Sequence, residues 1–422
     1  MNDAVDNSAD KVELDAAQPE RATKWHREML TYLQQQESEL WKWFSSHKAR
    51  QKSADSVRLE LLKTGYRLNR EDDGDIYDLA GSVAKKMKLT SDVTIYQAEH
   101  AVGLNASLAW LPNEAHVILH GPVQETLSRD ELAALLAHEL AHHELYSVDE
   151  GAFLVMEQVL SAILADQNSN EVHERTLRSH RLYTELYCDR RAAQVTDRIE
   201  DCVCALIKLA TGFKEVSASA YFEQADEVLA DSGQKSKGSD GFTHPEMFIR
   251  AKALQLWRED PATADDVISQ LIEGPLELSQ LDFLRQRKVR QLTEEFLQTF
   301  LAPRWLQTDL TRAHAKHFFE DIALPESDMP LPSHKLLKGR VAECDEQLQN
   351  YFCYLLLDFV TFDPDLEEGP LAAAFLFSAQ VGLADTFRSL AAKELKFGKR
   401  ALQKVEADAS KIVEQAERAH SC

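Results

Sequence analysis

Ser128-Arg129-Asp130-Glu131-Leu132-Ala133-Ala134-Leu135-Leu136-Ala137-His138-Glu139-Leu140-Ala141-His142 decides how this chain is read. Ser128 and Glu131 have the spacing of a capping box, in which a serine oxygen and a glutamate carboxylate satisfy the first free backbone donors of a helix. The apolar run behind them predicts a helix to about Tyr146. Residues four apart share a helix face, so His138 and His142 point the same way and can grip one metal ion. Glu139 then stands beside that ion, where it can take a proton from water. Two incidental surface histidines are the plain alternative. Against it, Leu136, Ala137, Leu140 and Ala141 make this stretch largely buried, and buried imidazoles need partners.

A catalytic zinc ion usually takes three protein donors and keeps one position for water. The best third donor is Glu185, in Glu185-Leu186-Tyr187-Cys188-Asp189, whose two carboxylates fall on one helical face. Asp189 would accept a hydrogen bond from the far nitrogen of a ligand histidine and so fix its tautomer. His173, His180, Glu171 and Glu174 are rivals, ranked lower because their stretch reads as an exposed connection. A third element is Thr243-His244-Pro245 with Arg250 beyond it. His244 or Arg250 could stabilise the oxyanion formed when water attacks a carbonyl.

These three elements, in this order, resemble the zinc metallopeptidases of the HtpX and CAAX prenyl protease type, metallopeptidase family 48. Leu104-Asn105-Ala106-Ser107-Leu108-Ala109 is similar to the strand that precedes the active-site helix there, and Ala115–Gly121 is similar to the next strand. The resemblance covers roughly residues 55–257. It implies a gluzincin centre with one zinc ion per chain, held by His138, His142 and Glu185. It also implies Glu139 as catalytic base, Asp189 as support for a ligand histidine, and His244 with Arg250 assisting the transition state. The best-known members carry membrane-spanning helices around these motifs and this sequence does not, which points to a soluble branch.

Composition agrees with a soluble protein. The 70 acidic residues outnumber the 47 basic ones, for a net charge of −23. Such a surface repels nucleic acid and anionic lipid. The most apolar stretches, Gly151–Ala165 and Tyr351–Val360, fall short of the ~20 residues needed to cross a bilayer, so membrane insertion is not expected. The polar, acidic start of the chain lacks the apolar core of a signal peptide. Cys188, Cys202, Cys204, Cys344, Cys353 and Cys422 form no C-x-x-C pair and no disulfide framework. Reduced thiols in a cytoplasm are expected.

Four segments follow from the pattern along the chain. Residues 1–22 read as a disordered acidic N-terminus, 23–53 as a helical segment, 54–258 as the zinc metallopeptidase domain, and 259–422 as an α-helical accessory domain. One helix is expected from Ala22 to Ser46, others at Ala54–Lys63 and Ile76–Lys88, and strands at Val93–Tyr96, Ser107–Leu111 and Ala115–Leu119. The fold class is mainly α (α+β), with a zincin-like core in which a small sheet lies beside the active-site helix. An edge strand carrying Asn105, Ala106, Ser107 and Leu108 would hold an extended peptide by backbone pairing. The Gly- and Ser-rich stretch 231–241 reads as a loop that could gate the cleft, as could the N-terminal helix.

The expected function is that of a zinc-dependent endopeptidase acting on a protein or peptide, with room for a protein partner on the helical C-terminal half. The alternative is a non-catalytic zinc-containing regulatory or adaptor protein acting through that half. Metal-assisted cleavage of a non-peptide amide is a third reading.

Overall fold

The computed structural model describes residues 22–99, 103–232, 247–325, 332–395 and 399–419. The chain divides into two compact units. The first comprises the described residues up to Ile163 together with Leu177–Pro261; the second comprises Leu164–Thr176 and the described residues from Ala262 onward.

The first unit opens with α1 (Lys24–Gln36), α2 (Ser38–Ser45), α3 (His47–Thr64), β1 (Gly65–Arg67) and α4 (Gly74–Lys86). β2 (Asp92–Ala98), β3 (Asn105–Leu111) and β4 (Glu114–His120) follow, then the short α5 (Val123–Thr126) and α6 (Arg129–Ser147). α7 (Ala152–Ala165), α8 (Glu171–Thr196), α9 (Ile199–Thr211), α10 (Ala218–Ser232) and α11 (Met247–Glu259) continue the chain. The strands form one mixed sheet in the order β1-β2-β4-β3. β2 and β4 run parallel, while β1 and β3 pair antiparallel on the outside.

This is the expected class, mainly helical with a small sheet. Ile95, Ala115, Val117 and Leu119 are fully enclosed, because the two inner strands lie between paired neighbours. β3 and β4 pack against α6. β4 leaves the sheet through Gly121, at φ +71°, where a Cβ would lie 2.5 Å from the Gly103 carbonyl oxygen. Only glycine tolerates both conditions.

α6 begins as its sequence requires. Glu131 N–H donates to Ser128 Oγ at 3.3 Å, and Ser128 N–H donates to Glu131 Oε2 at 2.7 Å. That same Oε2 accepts from Lys208 Nζ of α9 at 2.8 Å, with both side chains buried.

Three local expectations change. The single helix over 22–46 is two helices, broken at Glu37, whose φ −116° and ψ 40° are not helical. Trp25, Met29 and Leu33 of α1 are buried, but α2 buries no residue and leaves Trp43 exposed, so packing does not extend one helix across the polar Gln34–Glu37. β1 was not expected, being too short to show alternation. The stretch holding His173 and His180 is not an exposed connection but the first part of α8, and His180 is buried.

The second unit is helical: α12 (Ala264–Glu273), α13 (Phe283–Phe300), α14 (Asp309–Phe318), α15 (His334–Ala342), α16 (Glu346–Val360), α17 (Gly369–Gln380), α18 (Ala384–Glu394) and α19 (Lys399–Ala419). Phe296, Leu337, Leu348, Phe352 and Phe387 are fully enclosed in its core. α15 and α16 are separated at Asp345, whose side chain accepts from Leu348 N–H and starts α16 afresh. No helix among the described residues is long and apolar enough to cross a membrane.

Candidate metal centre

The helical spacing of His138 and His142 brings their rings to 5.1 Å between centroids. α8 supplies the facing carboxylates. Glu185 Oε2 lies 3.3 Å from His138 Nε2, and Glu185 Oε1 lies 3.5 Å from His142 Nε2. One turn on, Asp189 Oδ1 lies 2.9 Å from His138 Nδ1. Both nitrogens of His138 therefore face carboxylates.

α8 is clamped to α6 two residues past His142 and two residues to either side of Asp189. Arg191 donates through Nε and Nη2 to Glu144 at 2.7 and 2.9 Å, and Tyr187 Oη donates to the same carboxylate at 2.9 Å. This paired geometry restricts rotation of α8 about its axis and so fixes where Glu185 points.

α11 adds a buried cation. Arg250 donates through Nε and Nη2 to the two oxygens of Asp189, each at 2.6 Å, and its Nη1 lies 3.0 Å from Glu185 Oε2. Arg250 and Asp189 are both buried. Guanidinium and carboxylate match as two parallel bonds, so Arg250 is committed to these two acids.

The electrostatics follow from this crowding. Burial works against a charged His138, but its bonds to Asp189 and Glu185 outweigh burial and lift its pKa to about 10. Burial would raise Glu185 and Asp189, yet Arg250 and His138 hold both carboxyls below their usual range, joined at Glu185 by His142. For Glu139 the compensation falls short of burial. Its carboxyl is buried beside Glu185 and is pushed up, against the opposing pull of His138, His142 and Arg250.

Residues 71–258 match the model of peptidase family M48. The chain is also 25% identical over 215 residues to the plastoglobule-localized metallopeptidase 48, chloroplastic, of Arabidopsis thaliana. That alignment covers 47% of this chain and 61% of the relative, so the chain spans about three fifths of the curated relative it matches. The segment 71–258 belongs to peptidase family M48. No solved structure matches the chain.

The M48 segment contains every donor described above and the strand residues Asn105, Ala106, Ser107 and Leu108 of β3. β3 pairs with β4 on one side and forms an edge of the sheet among the described residues. His244 lies outside the described residues, as does most of the 231–241 stretch. Of the rival donors, Glu171 and Glu174 are exposed, and the His173 ring packs on Phe283 at 5.4 Å. The His180 ring lies 5.7 Å from His26 and 6.0 Å from Trp25, with both nitrogens buried and unpartnered among the described residues.

M48 metallopeptidases are metal-dependent, usually with zinc. Zinc bonds nitrogen and oxygen at about 2.05 Å in a tetrahedron, which sets donors about 3.3 Å apart. The two Glu185 oxygens stand 3.3 and 3.5 Å from the two imidazole nitrogens. Asp189 supplies the hydrogen-bond acceptor that orients a metal-binding histidine. The residues present fit a zinc ion.

One residue at this centre was not singled out from sequence. Cys188 of α8 is wholly buried, and its Sγ lies within 4.8 Å of a ring nitrogen of both His138 and His142. Burial, with Glu185 and Asp189 nearby, pushes its thiol up. Its place three residues after Glu185, on the same helix face, was the available signal.

Proposed function

We propose that this chain is a zinc-dependent endopeptidase in which His138, His142 and Glu185 hold the metal and Glu139 is the general base. Glu185 spanning both imidazoles of one helical turn, with Glu139 buried beside them, is the observation that carries this reading. A bound zinc ion would supply Lewis-acid polarisation of the scissile carbonyl and of the attacking water.

The remaining work falls to side chains. Glu139 accepts a proton from the water and passes it to the leaving amine. Burial lifts its carboxyl above the ordinary range, the direction that favours taking and returning a proton. Asp189 accepts the Nδ1 proton of His138 and so keeps the Nε2 lone pair toward the donor cluster. Arg250, held by Asp189 and Glu185, acts as a positioning residue. Stabilisation of the oxyanion is assigned to His244, on the resemblance already described. The free edge of β3 offers backbone donors and acceptors to an extended peptide without regard to its sequence.

A protein or peptide substrate follows from this edge. A reducing compartment such as the cytoplasm is proposed, in keeping with free thiols at Cys188, Cys202, Cys204, Cys344 and Cys353. The helical second unit is proposed to receive a protein partner.

The test compares wild type and Glu139→Gln, both loaded with zinc, on an unstructured protein substrate. The variant should lose cleavage by about 10²-fold or more while keeping about one zinc per chain. Cleavage at the wild-type rate would overturn the mechanism, and a wild type unable to bind zinc would overturn the reading as a whole.

A further inference from the structure

We infer that Cys188 is a fourth protein donor to the metal held by His138, His142 and Glu185. The inference rests on the zinc reading and adds to it a ligand of different chemistry. Three donor atoms from this part of the molecule already lie within 4.8 Å of one another: a ring nitrogen from each histidine and Cys188 Sγ. They come from two helices that Glu144, Tyr187 and Arg191 hold in register, so the sulfur is not brought in by a loop. Glu185 and Cys188 are three apart on α8, which sets carboxylate and thiol on one face toward α6.

Burial distinguishes the two. Cys188 is fully enclosed, whereas 22% of the Glu185 side chain and 14% of the His142 side chain stay exposed. The sulfur therefore approaches from the protein side, and a water on the solvent side would be a fifth donor. Thiolate is a soft donor that favours zinc and cobalt over magnesium or manganese, so the centre should be selective for the former pair. As the sulfur–metal bond forms, the S–H proton leaves to solvent.

Cobalt gives a direct readout, independent of catalysis. Metal-stripped wild type, Cys188→Ser and His138→Ala/His142→Ala are each titrated with Co2+ and followed by absorption. Wild type should show visible ligand-field bands together with a near-ultraviolet thiolate-to-cobalt charge-transfer band. Cys188→Ser should keep the visible bands, lose the charge-transfer band, and bind cobalt about tenfold more weakly, or worse, in competition with a chelator.

Visible bands without charge transfer in wild type would overturn the inference and leave the zinc reading standing. So would a charge-transfer band that survives in Cys188→Ser, since another cysteine would then be its source. Absence of visible bands in wild type, or their full retention in the double histidine variant, would instead overturn the metal assignment beneath it. Should Cys188→Ser not fold, Cys188→Ala takes its place, and the wild-type spectrum still decides whether any sulfur is bound.

Discussion

Arg250 holds Asp189 by two parallel hydrogen bonds of 2.6 Å, and both side chains are buried. The pair joins α11 to α8, and its carboxylate in turn receives His138. Removing the guanidinium leaves Asp189 and Glu185 buried without their shared cation. Breaking a buried pair by deleting one partner costs about 3–5 kcal/mol, so Arg250→Ala should lower the urea midpoint by a corresponding amount. Arg250→Lys keeps the charge but cannot form the two-pronged contact, and should fall between the two. If Arg250→Ala unfolded at the wild-type midpoint, the contact would have no structural weight.

Glu185 as third donor and Cys188 as fourth should weigh unequally on the metal, and substitution separates them. Glu185→Gln keeps shape and volume but removes the charge that a divalent ion needs. Zinc content after dialysis against a weak chelator should fall strongly in Glu185→Gln and fall less in Cys188→Ser. A strong chelator should abolish peptide cleavage by wild type, and added zinc should restore it. A Glu185→Gln protein that kept its full zinc through dialysis would move the third donor elsewhere.

Much of this centre could be read from one linear stretch because its determinants are local. Capping needs only Ser128 and Glu131, and the shared face of His138 and His142 needs only helical period. Glu185 and Asp189 were legible as a spacing, with their roles resting on resemblance. The Arg250–Asp189 pair was not legible, since 61 residues separate the partners and nothing in either segment names the other. The sequence offers His244 or Arg250 for an oxyanion, whereas the Arg250 guanidinium lies on two carboxylates. Cys188 is not legible from cysteine-to-cysteine spacing, because its phase on the helix that carries Glu185 is what places it at the centre. The break at Glu37 escaped because α1 and α2 share one apolar pattern, and only packing shows that α2 buries nothing.

Two buried histidines predict how stability responds to acid. Burial first, and then His180, holds His26 well below its ordinary 6.5, and burial likewise brings His180 to about 4. The folded state thus resists protonation that the unfolded chain accepts. Their contribution is complete above about pH 6.5 and declines as pH falls toward 4. Each should cost up to about 2 kcal/mol by pH 5. The urea midpoint of wild type should drop between pH 7 and 5, and His180→Leu should flatten that drop by about half. An unchanged slope in the variant would remove His180 from this account.

The Lys208–Glu131 contact offers a test of how the active-site helix is secured at its start. Glu131 serves both as cap partner of Ser128 and as the buried acceptor for Lys208. Lys208→Met strands the carboxylate among apolar neighbours and should cost about 3 kcal/mol. Adding Glu131→Gln removes the charge yet keeps an oxygen for Ser128 N–H, since glutamine also closes a capping box. The double variant should therefore be more stable than Lys208→Met alone, giving a coupling of about 1–3 kcal/mol in a double-mutant cycle. Simple additivity of the two substitutions would show that Lys208 acts on α6 through packing of its stem and not through charge.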